Sequence, residues 1–330
     1  MIKTSIESAP FIHGSESTLN LHLDLIIGLL SVMIISVVQN GLRALIMCAL
    51  CAFTAWITEK VGLIIAHREK NTDLRSIAMG LIIAMLCPIS IPLWVPITAS
   101  FFSVLIVRVI LAQNYKNLFI TPIFAWIYML TVAPAGMTRF PITSSVGSFP
   151  FFGNINEEVF VSTDSIAQQL QQKKELSYGF LDILTGNYPG GMGTTCIFIL
   201  LAVCIYFIFR KSMAWQVSLS MIITVSVFAL VFNRTNQGPL MSILYELSAT
   251  SFIFIAVFVA GDLINAPSVK SARIVYGVLI GVLTMVFRYL GFAEHCVLLA
   301  LFICNFFCEL IDVLFLYLQI YFLRKRMIKK

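Results

Sequence analysis

The chain has 330 residues, 59% of them hydrophobic and only 12% charged, with a mean hydropathy of +0.94. A soluble domain carries about 25% charged residues, so the composition excludes an ordinary water-soluble protein and indicates a polytopic membrane protein. The formal charge of +6 does not speak for nucleic acid, because the basic residues sort by membrane side rather than into a patch.

Apolar blocks long enough to cross about 30 Å of hydrocarbon follow one another along the chain. They read as spans over 21–39, 42–58, 74–91, 93–112, 118–136, 193–209, 215–232, 240–260, 273–291 and 295–322. The polar segment before them lacks the basic-then-apolar pattern of a cleaved signal, so the first span is expected to be retained. Pro88 and Pro92 interrupt the third block. The eighth runs into Gly261, Asp262 and Pro267, where the helix is expected to stop near membrane depth.

Of the 22 Lys and Arg, only Arg43, Arg139, Lys173, Lys174, Arg234 and Arg288 fall on the outer side when the N-terminus is placed inside. The rest gather at inner connections and in the tail from Arg324 to Lys330. This asymmetry implies both termini in the cytoplasm, an even number of spans and residence in the cell inner (cytoplasmic) membrane. The organisation is then a cytoplasmic segment (1–20), a first five-helix half (21–136), an extracytoplasmic loop (137–187), a second five-helix half (188–322) and a basic tail (323–330). The loop holds GSFPFFGN, the pair Glu157 and Glu158, and a Gln/Lys-rich stretch. That stretch reads as a short surface helix with Ile166, Leu170 and Leu176 facing lipid, or as a plain linker.

Residues 80–108 and 252–288 repeat one order: apolar block, Pro-containing break, apolar block, terminal Arg. Asn117 in NLFITPI and Asn305 in NFFCELI follow. With five spans per half, such a repeat makes the fold an all-α polytopic membrane protein of about ten transmembrane helices in two inverted halves. Folds of this kind place their site at broken helices near the midplane.

Charges within apolar blocks are costly unless paired or wetted, about 2.5–3.5 kcal/mol on insertion scales. Asp24, Glu246, Arg288 and Glu294 lie close to span ends, where snorkelling or an interfacial position suffices. Asp262 sits at a helix break and reads as an ion-pathway carboxylate or as a helix cap. Glu309 and Asp312 share a helix face and read as an ion site or as partners of inner basic residues. The eight cysteines all lie in apolar blocks. Cys48-x-x-Cys51 and the Cys304/Cys308 pair have metal-ligand spacing, yet no His supports them and core packing is the expected role. No nucleotide-binding loop or nucleophile motif is present. The run GNYPGGMGTT (186–195) reads as a turn and helix start, with phosphate approach as the alternative.

Taken together these segments resemble one family: the D subunit of Rnf electron-transport complexes and the homologous B subunit of sodium-translocating NADH:quinone oxidoreductase. The resemblance is carried by Ser8-Ala9-Pro10-Phe11-Ile12, Leu23-Asp24-Leu25-Ile26-Ile27, GLRAL (41–45) and Asn117-Leu118-Phe119-Ile120-Thr121-Pro122. It continues through GNYPGGMGTT, with Thr194 where the family has Glu, and through Phe258 to Pro267 around Asp262. Arg288, Glu294, Asn305 and Leu310-Ile311-Asp312 complete the order.

The resemblance implies a membrane subunit of a redox-driven Na⁺- or H⁺-translocating complex, acting with other membrane and peripheral subunits rather than as a self-contained enzyme. It implies ion-pathway roles for Asp262, Arg288, Asn117, Asn305, Glu309 and Asp312. It also implies bound flavin, FMN or riboflavin. The family joins FMN through its phosphate to a Thr in S-G-A-T-P-L, and the matching stretch here is Ser165-Ile166-Ala167-Gln168-Gln169-Leu170. An amide at Gln168 offers no hydroxyl for a phosphoester; Thr163 and Ser165 are the nearby hydroxyls. The chain therefore reads as a divergent member. A non-redox channel or transporter, or an assembly subunit without cofactor, on the same fold is the alternative.

Overall fold

The computed structural model describes residues 18–65, 74–111, 120–141, 162–172, 174, 176, 178–235, 238–292 and 294–328. Apart from one pair of two-residue strands the described chain is helix and turn. The first half comprises α1 (Thr18–Asn40), α2 (Leu42–Ile65), α3 (Arg75–Leu86), α4 (Trp94–Ile110, its last turns π-helical) and α5 (Thr121–Val132). A short α6 (Pro134–Thr138), the antiparallel strands β1 (Phe140–Pro141) and β2 (Ser162–Thr163), α7 (Ile166–Gln171) and α8 (Phe180–Thr185) connect the halves. The second half holds α9 (Ile197–Arg210), α10 (Trp215–Val231), α11 (Pro239–Ser248), α12 (Phe252–Ile255, running on as a π-helical turn, Ala256–Ala260), α13 (Lys270–Tyr289) and α14 (Cys296–Ile328).

Among the described residues five segments are long and apolar enough to cross a membrane, with α11 and α12 together forming one of them. Five shorter apolar helices, α3, α4, α5, α9 and α10, lie among them. Side-chain contacts fix the direction of each. Arg210 at the end of α9 meets Asp24 at the start of α1, while Gln39 at the end of α1 donates to Thr185 O before α9. The first helices of the two halves therefore run in opposite senses. In the same way Glu59 of α2 meets Arg108 of α4 at the Asp24 end, and Tyr289 of α13 donates to Phe232 O after α10 at the opposite, Arg288 end. In both halves the second helix packs on the third and fourth, and the fourth on the fifth. The inverted arrangement is thus present in the packing.

Local chemistry explains the breaks. Cys87 before Pro88 is extended (φ −80°, ψ 146°), as a residue preceding Pro must be, and α3 stops there. The eighth block stops at Gly261 as expected, but it carries a second interruption, at Ala249–Ser251, with no Gly or Pro to announce it. α13 begins at Lys270 rather than 273, and α14 extends to Ile328 rather than 322. The loop helix α7 forms, but Ile166, Leu170 and Leu176 are buried in the protein core instead of facing lipid. Ser165 and Gln168 close its first turn as a reciprocal cap, which turns that apolar edge inward. The stretch GSFPFFGN with Glu157 and Glu158, the N-terminal Ser8–Ile12 match and Asn117 lie outside the described residues. All eight cysteines are free thiols, and no metal-ligand cluster exists among the described residues.

Two glycines set the closest helix approaches. A Cβ on Gly80 of α3 would stand 2.5 Å from Cys51 O and 2.8 Å from Ala52 Cα of α2. Gly277 of α13 would bring one to 2.5 Å from Val217 O of α10. Each holds the second helix of its half against a later one. Gly80→Val is therefore expected to lower thermal stability in detergent, by about 1–3 kcal/mol as overpacking does. Gly238→Ala, with nothing within 4 Å of the added carbon, should cost less, about 0.5–1 kcal/mol for the poorer cap of α11. Equal melting temperatures for the two variants would contradict the α2–α3 packing.

Candidate functional site

The interruption between α11 and α12 is held open by strain and closed by one guanidinium. Thr250 (φ 59°) and Ser251 (φ 57°) are both left-handed without being glycine, which costs about 1–2 kcal/mol each. Arg288 of α13 compensates. Its Nη1 donates to Glu246 O at 2.7 Å and to Glu246 Oε2 at 2.7 Å. Its Nη2 donates to Ala249 O at 3.1 Å and Thr250 Oγ1 at 2.8 Å. Arg234 approaches the other Glu246 oxygen at 3.5 Å. The sequence expectation that Glu246 and Arg288 snorkel to the interface is corrected: both side chains are buried and paired with each other. Asp24 is likewise buried, bonded to Arg210 and to the Tyr206 hydroxyl.

Over this break lies a cleft in two adjoining parts, about 390 and 270 Å³ of empty space counting their open mouths. Segments distant in sequence line it: Leu86, Trp126, and Met137 with Phe140 on the apolar side, then Ser165 and Ile166, the glycine run from Tyr188 to Thr194, Ser248 to Ser251 with Ile255, and Glu294 with His295 and Leu298. The glycine run reaches the first half, where Met192 N and Gly193 N donate to Cys87 O and Met85 O at the end of α3. The run is a turn fitted under the broken α3.

Ser165 is doubly engaged, accepting from Gln168 N at 3.2 Å and donating to the Glu294 carboxylate. The Gln168 amide is also fully used. Its Oε1 accepts from Ser165 N at 3.2 Å, and its Nε2 donates to Thr138 O at 3.3 Å. Thr163 pairs through its backbone with Phe140. The Tyr188 hydroxyl and His295 Nδ1, both buried, have no hydrogen-bond partner among the described residues; sequence reading singled out neither. Burial lowers the His295 pKa and raises that of Tyr188.

At the opposite end Asp262 is both a cap and half of an ion pair. Its Oδ1 accepts from Ile264 N at 3.2 Å; its Oδ2 accepts from Arg75 Nη2 at 2.8 Å and Asn265 Nδ2 at 3.1 Å. Arg75 opens α3, so this pair ties the two halves together. Asp312 joins the same break, accepting from Ser268 N at 2.8 Å and Val269 N at 3.0 Å before α13. Glu309 does not share that role and lies exposed on α14. Asn305 is buried and accepts from the Tyr276 hydroxyl at 3.4 Å.

The structure therefore places Asp262 and Asp312 on one break, and Ser165 beside Glu294 within the field of Arg288, at opposite ends of the molecule. It also reveals Glu59, buried between Ser76 and Arg108, the latter at 2.5 Å. Sequence reading assigned Glu59 to a polar connection; the apolar VGLII that follows it was the sign that α2 continues.

A family model described as NQR2, RnfD, RnfE matches residues 5–318. The chain belongs to that family. It is 25% identical over 305 residues to the D subunit of a Na⁺-translocating ferredoxin:NAD⁺ oxidoreductase complex from Acetobacterium woodii, covering 89% of this chain and 88% of that protein. The D subunit of an ion-translocating oxidoreductase complex from Haemophilus ducreyi is 24% identical over 333 residues, covering 92% and 95%. In this NQR2/RnfD/RnfE member the loop stretch from Ser165, the glycine run and Glu294 meet at the cleft, while Leu23–Ile27, Phe258–Pro267 and Leu310–Asp312 lie toward the opposite end.

Within the cleft, burial pushes the Glu294 carboxyl up to about 7, against the pull of Ser165 and Arg288 toward the ionised form. A folded-state pKa above the ordinary 4.5 means that the folded chain holds this proton more tightly than the unfolded one. The stabilisation is complete below about pH 4.5 and is lost as the pH rises through about 7. Glu294→Gln should therefore reduce the difference in melting temperature between about pH 5 and about pH 8. A variant with the full wild-type pH dependence would show that another group titrates.

Proposed function

We propose that this chain is the D-type membrane subunit of a redox-driven, ion-translocating complex in the cell inner membrane, with its Asp24 end in the cytoplasm. The observation that carries this reading is the convergence of the family's loop, glycine-run and Arg/Glu segments on one cleft between inverted halves. Electron donors and acceptors are then held by other subunits, as expected for a chain whose relatives are named as subunits of such complexes. The excess of Lys and Arg on the Asp24 side supports the orientation.

The residues present do not fit an FMN joined through its phosphate at position 168. Gln168 has no hydroxyl, and both ends of its amide are committed to the α7 cap and to Thr138. Among the lining residues Glu294 is the one carboxylate, and there is no Lys or Arg to meet a phosphate dianion. The rest of the lining mixes apolar side chains such as Leu86, Trp126, Phe140 and Leu298 with hydroxyls and glycine backbone, which suits an uncharged ligand better than a phosphate dianion. Asp262 and Asp312 are the proposed ion-path carboxylates at the cytoplasmic end. A cation entering there has to compete with Arg75 for Asp262, so ion entry is coupled to loosening the tie between the halves.

The test is purification of a tagged full chain from its native membrane, together with a deletion strain. Redox subunits carrying flavin or iron–sulfur centres should co-purify, and deletion should abolish ion-coupled electron transfer by the membranes. Reporter fusions after Lys211 and after Lys330 should read cytoplasmic, and one at Lys174 extracytoplasmic. Recovery of the chain alone, with electron transfer intact in the deletion strain, would favour the non-redox transporter instead.

A further inference from the structure

Pairing at the α11–α12 break leaves one positive charge over. Glu246 is met by two guanidiniums: Arg288 reaches its Oε2 at 2.7 Å, while Arg234 stands 3.5 Å from its Oε1. The other contacts of Arg234 are the Arg288 carbonyl, at 3.3 Å, and the face of the Tyr289 ring, 4.9 Å from its centroid. Neither brings a negative charge. Arg288 is incompletely bonded as well, since its buried Nε has no hydrogen-bond partner among the described residues. Two largely buried guanidiniums on one carboxylate, with a buried donor unmade, form a costly arrangement.

A small cavity lies against these groups. It is lined by Arg234, Glu246 and Arg288 together with Ala167, Leu170 and Gln171 of α7. Its empty space is about 200 Å³ counting the mouth, and Ala249 borders both it and the cleft. The interior has room for only a single particle of about the size of a water.

Glu246 is the one carboxylate in this lining. The field of Arg288 also reaches Glu294, but that carboxyl is bonded to Ser165 and titrates at about 7. Below that pH it is mostly neutral and does not balance the second guanidinium. The Cys296 thiol, also beside Arg288, is directed at Thr250 Oγ1. A water in the cavity would answer the unmade donor and leave the charge. An anion answers both, and a charge-assisted bond is the stronger one. The room suits a halide better than a tetrahedral oxyanion.

We propose that this cavity is a binding site for one small monovalent anion, chloride by size and charge, held by Arg234 and Arg288 beneath α7. For the test, the full chain is isolated from its native membrane with the subunits that accompany it and washed free of halide in gluconate buffer at about pH 6. Radiolabelled chloride should bind saturably and be displaced by bromide, but not by gluconate or phosphate at equal ionic strength. Chloride should raise the melting temperature along the same saturation curve. Arg234→Gln should weaken binding at least about tenfold, as losing one charged hydrogen bond does. Lys270→Gln, at the opposite end, should leave it unchanged. Gln171 is exposed, and Gln171→Glu sets a tethered carboxylate against the two guanidiniums. That variant should abolish chloride binding with both arginines in place, which keeps the test decisive even where Arg234→Gln does not fold. Absence of saturable binding would mean a cavity that holds water only, and would overturn the proposal. Binding left intact by both Arg234→Gln and Gln171→Glu would overturn it too, as would displacement by phosphate as strong as that by bromide.

Discussion

A helix interrupted inside a membrane exposes carbonyls and amides where no water can reach them, at a cost of several kcal/mol for each group left unmade. The guanidinium of Arg288 meets that requirement at the α11–α12 break, bonding two carbonyls, a carboxylate and a hydroxyl while itself buried. The other breaks obey the same constraint by other means. Arg43 donates to Ile91 O, the glycine run donates to Met85 O and Cys87 O, and Ala214 N donates to Gly261 O. In each case the hook comes from a different segment of the chain. The breaks thereby become the joints at which the molecule is assembled, and the cleft lies at such a joint.

The halves are joined unequally at the two ends. At the Asp24 end two ion pairs cross between the halves, Arg75–Asp262 and Arg210–Asp24. At the Arg288 end the α7 loop is tied to Thr138 O on one side and to Glu294 and Gly291 O on the other. The halves are thus joined by charge contacts at one end and by a capped loop strapped to both of them at the other.

Much of this was legible in the sequence because span length, Pro and Gly act locally. The apolar blocks located the spans, Pro88 and Gly261 located two breaks, and the motif order pointed to the family. The third break was invisible because Ser248-Ala249-Thr250-Ser251 carries no breaker. Its left-handed residues are sustained by Arg288, some forty positions away. The inward burial of Ile166 and Leu170 was hidden for the same reason. An amphipathic loop helix looks alike whether lipid or protein covers it, and the distinction lay in the bonds of Ser165 and Gln168 to Glu294 and Thr138. The Tyr188 hydroxyl and His295 Nδ1 stand out only once the structure shows these two atoms buried and unmatched among the described residues, along adjoining parts of one cleft.

The central claim is that Gln168 serves as a helix cap at the position that the resemblance aligns with a flavin-bearing Thr, so that the chain carries no covalent flavin. The most direct test is the intact mass of the chain, isolated from its native membrane and separated under denaturing conditions. The account predicts the mass of the polypeptide with no flavin adduct, alongside an unchanged mass after Thr163→Ala and Ser165→Ala apart from the substitutions themselves. An added mass of one FMN on the wild-type chain, surviving denaturation, would contradict it.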